Sequence, residues 1–525
     1  MAGPALPESG RRWLTLLVLC CPLLIVSLDN TVLNVALPTL VRKLHATTSQ
    51  LQWIVDAYVL VFGGLMLAAG SLADRVGRKW TFMAGLTAFA AGSTWAAFAG
   101  SVGLLIAARA SMGVGAALIM PSTLSIITTT FTDGGERQRA LGVWSGTSGA
   151  GIALGPVVGG VLLAHFWWGS VFLINVPIAA IGLACAVRIV PNSKNPVAEP
   201  PDRGGSALSI AGLGLLLWAI IEAPTRGWSS ALVVCAGACG LVLLSGFAAW
   251  ERTSANPMLN PLFFRSRRFS AAIGANGLLM FGLMGALFVL TQFMQFELGY
   301  TPLQAGLRIL PAAGAIAIVA PLSAALVSRL GVRITVTAGL LVVAAGLLDI
   351  SGASAGSTYG DTVAGMTMLG IGAGLVIPSA TGSVMGSLPG EHTGVGSATN
   401  GTLMQVGGAL GVAIVGSLLS TRYQNRMNGT LAPYRIPHQI SQTILGSLGG
   451  ALDVAGRVGG GAAAVLAHLA RSAFISGMDL GLATAAIVVL AGAVLALLGL
   501  PAGTPAESEA SSQPIRRAAL HPRGR

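Results

Sequence analysis

Apolar residues run through this chain in blocks of about twenty, broken by short polar turns, and the blocks recur from residue 14 to residue 500. A block of that length, rising ~1.5 Å per residue, crosses the ~30 Å hydrocarbon core of a bilayer as a helix. Backbone amides in hydrocarbon have no water to bond, so self-satisfying helices are the expected element. The pattern predicts fourteen spans, near 14–38, 51–72, 80–99, 104–127, 140–163, 168–190, 208–224, 230–250, 270–296, 303–327, 334–352, 361–386, 394–419 and 472–500. The predicted fold class is an all-α polytopic membrane protein.

Of the charges that fall inside the blocks, three demand a reason first. Asp29 follows the first sixteen residues of span one, about 24 Å along the axis; Asp56, in "WIVDAYVL", lies about 8 Å down from the outer end of span two, where that span begins. Arg109 sits about four residues inside span four. A charge near the bilayer centre costs on the order of 3 kcal/mol on insertion scales, so such groups face cavities or partners. Blander placements stay open: Arg109 as a snorkelling anchor, Asp56 paired with Arg42 or Lys43, Asp29 hydrogen-bonded within "DNT".

Composition sharpens the class. The 525 residues are 54% hydrophobic and 9% charged, with a mean hydropathy of +0.77, far below the ~25% charge of soluble domains. The +12 net charge invites a nucleic-acid reading, but its distribution opposes one. With the amino terminus inside, 20 Lys and Arg belong to cytoplasmic loops and tails and 8 to outer loops, five of those in loop 420–471. That bias is the positive-inside rule, which places both termini in the cytoplasm of a cell membrane. Arg11 and Arg12 before an apolar run imitate a signal peptide, but the run is too long and lacks a cleavage site, so it is read as the first span. The five cysteines, Cys20, Cys21, Cys185, Cys235 and Cys239, sit in apolar runs and read as small core residues. The six histidines lie in loops, span ends or the tail, and no G-x-x-x-x-G-K-[ST] loop occurs. A membrane enzyme and an ATP-driven pump therefore lack their chemistry, and the tails are too short for a signalling receptor.

Internal echoes suggest duplication. "GVGAALIMPS" (113–122) matches "GIGAGLVIPS" (370–379), "GVWS" (142–145) matches "GVGS" (394–397), and "DRVG" (74–77) matches "SRLG" (328–331), all at offsets of 252 to 257. The expected organisation is a cytoplasmic amino terminus (1–13), a six-helix bundle (14–190), linkers with an inserted two-helix hairpin (191–268) and a second six-helix bundle (269–500). The last includes the long outer loop 420–471, and a disordered tail (501–525) follows. Duplicated halves place a site near the midplane at their interface and move by rocking.

The stretch "GSLADRVGRK" carries Gly70, Asp74, Arg75, Gly77, Arg78 and Lys79. Its spacing resembles the loop signature of the major facilitator superfamily. "LDNTVLNVALP" (28–38), "AARASMGVGAA" (107–117) and "GIALGPVVGG" (151–160) resemble first-, fourth- and fifth-span motifs of its fourteen-span drug:proton antiporter branch. "QLQWIVDAY", "MPSTLSIITTTF" and "HFWWGSVFLINVP" are similar to QacA-like exporters. The resemblance implies two six-helix bundles plus the inserted hairpin, and proton-driven export of amphipathic, cationic drugs by alternating access. It implies a transporter rather than an enzyme, a monomer, no cofactor beyond the proton gradient, and small-molecule drugs, protons and lipid as partners. A narrower alternative is self-protection against one secreted metabolite.

The same resemblance assigns roles. Asp29 and Asp56 exchange a proton for the drug in an aqueous cavity, and Arg109 tunes a neighbouring carboxylate, since a nearby cation and desolvation act on it in opposite directions. Gly70 to Lys79 form a loop latch. Gly151, Gly155, Gly159 and Gly160 admit a neighbouring backbone, and Pro156 breaks a helical bond, making span five a hinge or seal. Asn30, Asn34, Trp53, Tyr58, Phe62, Trp144, Phe281, Phe288, Phe293, Asn400 and Gln405 are expected to line the cavity, the aromatics stacking on a cation. Ser328 stands where the second half would carry the latch acid, and Met366 where it would carry Arg109, so coupling is expected in the first half.

Overall fold

The structure, a computed structural model, describes residues 8–502 except 195–201, 255, 256, 258, 260, 262, 355, 389–392 and 433–435. The tail 503–525 read above as disordered, and residues 1–7 of the amino terminus, lie outside the described residues. Every long element among the described residues is helical and none is a strand: α1 Glu8–Leu44, α2 Thr48–Val76, α3 Arg78–Ala97, α4 Val102–Thr130, α5 Gly134–His165, α6 Ser170–Leu173, α7 Asn175–Ile189, α8 Arg203–Arg226, α9 Ala231–Thr253, α10 Arg267–Gln292, α11 Pro302–Ser351, α12 Tyr359–Met385, α13 Thr393–Leu431, α14 His438–Gly446, α15 Leu448–Val458 and α16 Gly460–Gly499.

Twelve helical stretches among the described residues, not fourteen, are long and apolar enough to cross a membrane, with α6 and α7 counting together as one. Two physical causes separate this number from the fourteen blocks of the sequence. The 20 residues of α3 are rich in Gly, Ser, Thr and Trp and open on Arg78 and Lys79, and α3 is not among the twelve. The 50 residues of α11 count once, although Gly331 inside it has φ 81° and ψ 160°, a break in the helix. Unbroken, α11 would be about 75 Å long, more than twice the hydrocarbon thickness.

The helix starts are set locally, and they repeat. Thr47 caps α2 by accepting from the Gln50 N–H, and Gln50 returns a bond to Thr47. Thr301 and Gln304 do the same at α11, 254 residues later. Gly77, between α2 and α3, has φ 125°, and Gly331, again 254 residues on, also has positive φ, a conformation that favours glycine. Close helix crossings follow the same register. A Cβ on Gly113 would lie 2.7 Å from the Tyr58 carbonyl, and one on Gly370 would collide with the Ala312 carbonyl. Gly115 presses on Gly85 and Phe89, as Gly372 presses on Gly339 and Val343.

Helix neighbours mirror one another too. Helix α2 packs on α4 and α13; α11 packs on α12 and α5; α1 packs on α5 as α10 does on α13. Helices α8 and α9 form a hairpin whose first member packs on both α2 and α13. Most of α9 is exposed, including Cys235 and Cys239, which corrects their reading as core residues. Cys20 is buried, and Cys21 and Cys185 are half-buried. The stretch 420–471 is largely helical: α13 continues to Leu431, α14 and α15 follow, and α16 begins at Gly460. This segment closes over one end of the bundle. Thr48 Oγ1 donates to the Gly446 carbonyl at 3.1 Å, and Tyr423 donates to the Ile444 carbonyl at 2.8 Å.

Candidate functional site

Arg109 and Asp29 meet. The guanidinium of Arg109, 1% exposed, forms an ion pair with the Asp29 carboxylate, 2% exposed. Arg109 Nε donates to the Ile54 carbonyl at 3.1 Å, and its charge lies 4.2 Å from the centre of the Tyr58 ring. On the other side Asn175 Nδ2 donates to Asp29 at 3.4 Å and to Ser93 Oγ at 3.3 Å. Five helices, α1, α2, α3, α4 and α7, thus contribute to one buried polar cluster. The pairing corrects two readings: Arg109 does not snorkel, and Asp29 does not line an open vestibule but is sealed by a cation. Full burial of the pair would be costly without matched charge and donors.

Asp56 is placed differently. It is fully buried, and neither carboxylate oxygen has a hydrogen-bond partner among the described residues. The pairing with Arg42 fails because that guanidinium turns to Gln295 Oε1 at 3.4 Å and to the Phe296 ring at 5.7 Å. At about 100° per residue, Gln52, Asp56 and Gly63 share an arc of about 40° on α2. Gln52 Nε2 donates to the Ala413 carbonyl at 2.8 Å, and a Cβ on Gly63 would lie 3.1 Å from Gln405 Cβ. Asp56 therefore lies at the α2–α13 contact, on the side opposite Ile54 and Tyr58, which face Arg109. Leu60 and Gly64, slightly further round, meet Gly214 and Ile210 of α8. The acid sits where α2, α13 and α8 converge.

The glycine motif of α5 works against two partners. A Cβ on Gly151 would come within 2.8 Å of Ser27, one on Gly155 would strike Thr31 Oγ1, and one on Gly159 would lie 3.1 Å from Val32, all on α1. Gly160 and Pro156 turn to α11: a Cβ on Gly160 would lie 2.7 Å from Leu303 Cα, and one on Gly306 would strike the Pro156 carbonyl. Pro156 has no N–H for the Ile152 carbonyl, and Thr31 Oγ1 donates to that carbonyl at 3.2 Å. On the same face as Pro156 and Gly160, a Cβ on Gly142, Gly146 or Gly149 would meet nothing within 4 Å among the described residues, nor would one on Gly314 of α11. The two helices touch at one end and diverge toward the other, leaving a cleft.

The loop motif ties four elements. Arg78 bonds Asp74 at 2.7 Å through both Nε and a terminal nitrogen, and its N–H donates to the Ser193 carbonyl at 3.0 Å. Arg78 also reaches the Ser125 carbonyl at 3.4 Å, and Lys79 Nζ the Val187 carbonyl at 2.8 Å. Gly77 lies against Asn192, and Gly70 against Pro121. Arg75 lies in the last turn of α2 and is exposed.

Of the expected lining, Trp53 and Trp144 are half-buried, Trp144 donating to Thr123 Oγ1 at 3.2 Å. Tyr58, Phe62, Phe281, Phe288 and Phe293 are buried in helix packing and line nothing open, because each lies on a face that meets another helix. Asn30 is half-buried, bonding back to the Val26 carbonyl at 3.0 Å, and the buried Asn34 bonds to the Asn30 carbonyl at 3.1 Å. Asn276 Nδ2 donates to Asn400 at 2.9 Å, and Gln405 stays half-buried beside Gly63. Gln52, Ser93, Asn175 and Ser417 were not anticipated as site residues. Their signal was a single amide or hydroxyl embedded in an otherwise apolar run.

Comparison with known proteins places this arrangement. The Major Facilitator Superfamily matches residues 19–412. The multidrug efflux pump LfrA of Mycolicibacterium smegmatis is 37% identical over 92% of this chain and 95% of its own length. The tetracenomycin C resistance and export protein of Streptomyces glaucescens is 32% identical over 94% and 93%. The methylenomycin A resistance protein of Streptomyces coelicolor is 34% identical over 79% and 88%. Among solved structures, an inward-facing, unoccupied bacterial homologue of the human lysosomal transporter Spinster superposes with a TM-score of 0.65, covering 95% of this chain and 98% of that one at 16% identity. A helical membrane chain with these relatives is a transporter, not an enzyme, and it belongs to the major facilitator superfamily.

Proposed function

We propose that the protein is a proton-coupled antiporter that exports amphipathic cations by alternating access between two six-helix bundles, 14–190 and 269–500. In this reading α3 and both parts of α11 cross the bilayer, giving fourteen spans, and both termini are cytoplasmic. The chain works as a monomer in the cell membrane, driven by the proton gradient without a cofactor. The α2–α13 and α5–α11 contacts then form the outer seal, and the cleft beside Gly142, Gly146 and Gly149 opens inward.

One observation carries the proposal. Asp56 is an ionisable group without a partner among the described residues, buried at a contact between the two repeats. Any motion that separates α2 from α13 exposes it to water. Buried there, the carboxyl is tolerated as the neutral acid, because an unpaired charge in an apolar interior is far costlier. Asp56 thus takes a proton when open to the outside and releases it to the cytoplasm, where a cationic drug replaces it. Asp29 and Arg109 hold the charge balance next to this step, on the opposite face of α2. Trp53 and Trp144, which keep exposed surface, are placed to stack on a flat cation.

Ethidium movement into inverted vesicles tests this. An imposed pH gradient drives accumulation and an uncoupler abolishes it; gradient-independent movement would refute the coupling. A second reading, export of a single antibiotic, is favoured by relatives named for tetracenomycin C and methylenomycin A. Resistance profiles of expressing cells against a compound panel separate breadth from specificity.

A further inference from the structure

The hairpin α8–α9 has no role in the scheme so far, yet α8 touches both repeats at the depth of Asp56. Its last turns contain Pro224. Proline offers no N–H to the carbonyl four residues earlier, so the Ile220 carbonyl loses its helical donor. That carbonyl is not left orphaned: Ser417 Oγ of α13, fully buried, donates to it at 2.7 Å. Ser417 in turn accepts from Gln52 Nε2 of α2 at 3.3 Å. One residue on, the Ile221 carbonyl accepts from Ser49 Oγ of α2 at 3.3 Å. Beyond the helix end, Trp228 Nε1 donates to Thr421 Oγ1, one turn past Ser417, at 3.1 Å. Asp56 lies one turn from Gln52 on the same arc of α2.

We propose that α8 is a clasp: the carbonyl freed by Pro224 is gripped by Ser417, pinning the hairpin across the α2–α13 seam and closing Asp56 off, so that this grip must release before Asp56 meets the outer aqueous phase. The inserted hairpin is then a working part of the gate. Pro224, Ser417 and Gln52 are positioning residues that act through access to Asp56. The clasp rests on the reading of Asp56 as the exchanging group, but its test does not.

The test uses the full chain with its five native cysteines replaced and Asp56→Cys introduced, expressed in cells and labelled from outside with a membrane-impermeant maleimide. The parent labels slowly. Ser417→Ala leaves the Ile220 carbonyl unbonded and accelerates labelling about tenfold, the shift in opening expected from losing one buried hydrogen bond. Pro224→Ala restores the helical donor, competes with Ser417 for the same carbonyl and accelerates labelling too, while straightening a helix that folds at least as well. Unchanged labelling in Pro224→Ala, with the protein folded by size-exclusion profile, overturns the clasp even if Ser417→Ala misfolds. Asp56→Asn efflux, measured separately, tests the coupling role and leaves the labelling result standing either way.

Discussion

Asp29→Asn and Asp56→Asn are the same isosteric change at two buried acids, and the structure predicts unequal consequences for stability. In the first, Arg109 keeps its bond to the Ile54 carbonyl at 3.1 Å and its stacking on Tyr58 at 4.2 Å, but loses its only ion partner among the described residues. Removing one member of a buried pair costs about 3–5 kcal/mol because the other charge is left uncompensated. The stacking, about 2 kcal/mol when desolvated, persists in both states and does not offset the loss. In the second, the acid has neither donor nor cation among the described residues, so replacing it removes no bond, and the change in stability stays within about 1 kcal/mol. Thermal unfolding of the detergent-purified variants, followed by intrinsic tryptophan fluorescence, separates the two. Removing both charges, as Asp29→Asn with Arg109→Met, recovers most of the loss. Equal stability of the two single variants would refute the argument that Asp29 serves Arg109 while Asp56 stands alone.

Other outcomes follow from the same geometry. Gly155→Ala drives a Cβ onto Thr31 Oγ1 and to within 3.0 Å of the Leu28 carbonyl, so the purified yield falls several-fold. Gly146→Val meets nothing here and leaves folding intact, but it lowers turnover at least tenfold if α5 closes on α11 at this level in the other state; unchanged turnover would place the closing seam elsewhere. Gly77→Ala forces a side chain into φ 125° and against Asn192 at 2.9 Å, destabilising by about 1–3 kcal/mol in an unfolding measurement. Asp74→Asn breaks a partly exposed pair and costs no more than about 1 kcal/mol, so any large loss of transport there reports the conformational cycle and not folding.

Much of the architecture was legible because each span repeats one rule, an apolar block of about twenty residues or more. The duplication was legible in "DRVG" and "SRLG", and the structure gives that echo its cause in two glycines of positive φ. The span count was less secure, since α3 is too poor in large apolar residues and α11 is continuous but for Gly331. At the site, the sequence pointed to Asp29, Asp56 and Arg109 individually. Which acid meets Arg109 depends on how α1 and α4 cross, 80 residues apart, and no local pattern encodes a crossing. The aromatics illustrate the same limit: Phe281, Phe288 and Phe293 have the composition of a cation cage but the placement of packing residues. Pro224 was visible from the start, whereas its consequence required knowing that Ser417 lies opposite Ile220.

In the proposed cycle, Asp56 gives up its proton when a cation arrives. Purified protein in weakly buffered detergent, titrated with ethidium while proton release is followed with a pH indicator, measures that directly. About one proton per ethidium bound is the expected release from the parent, and none from Asp56→Asn, which still binds the dye. Undiminished release from Asp56→Asn would contradict it.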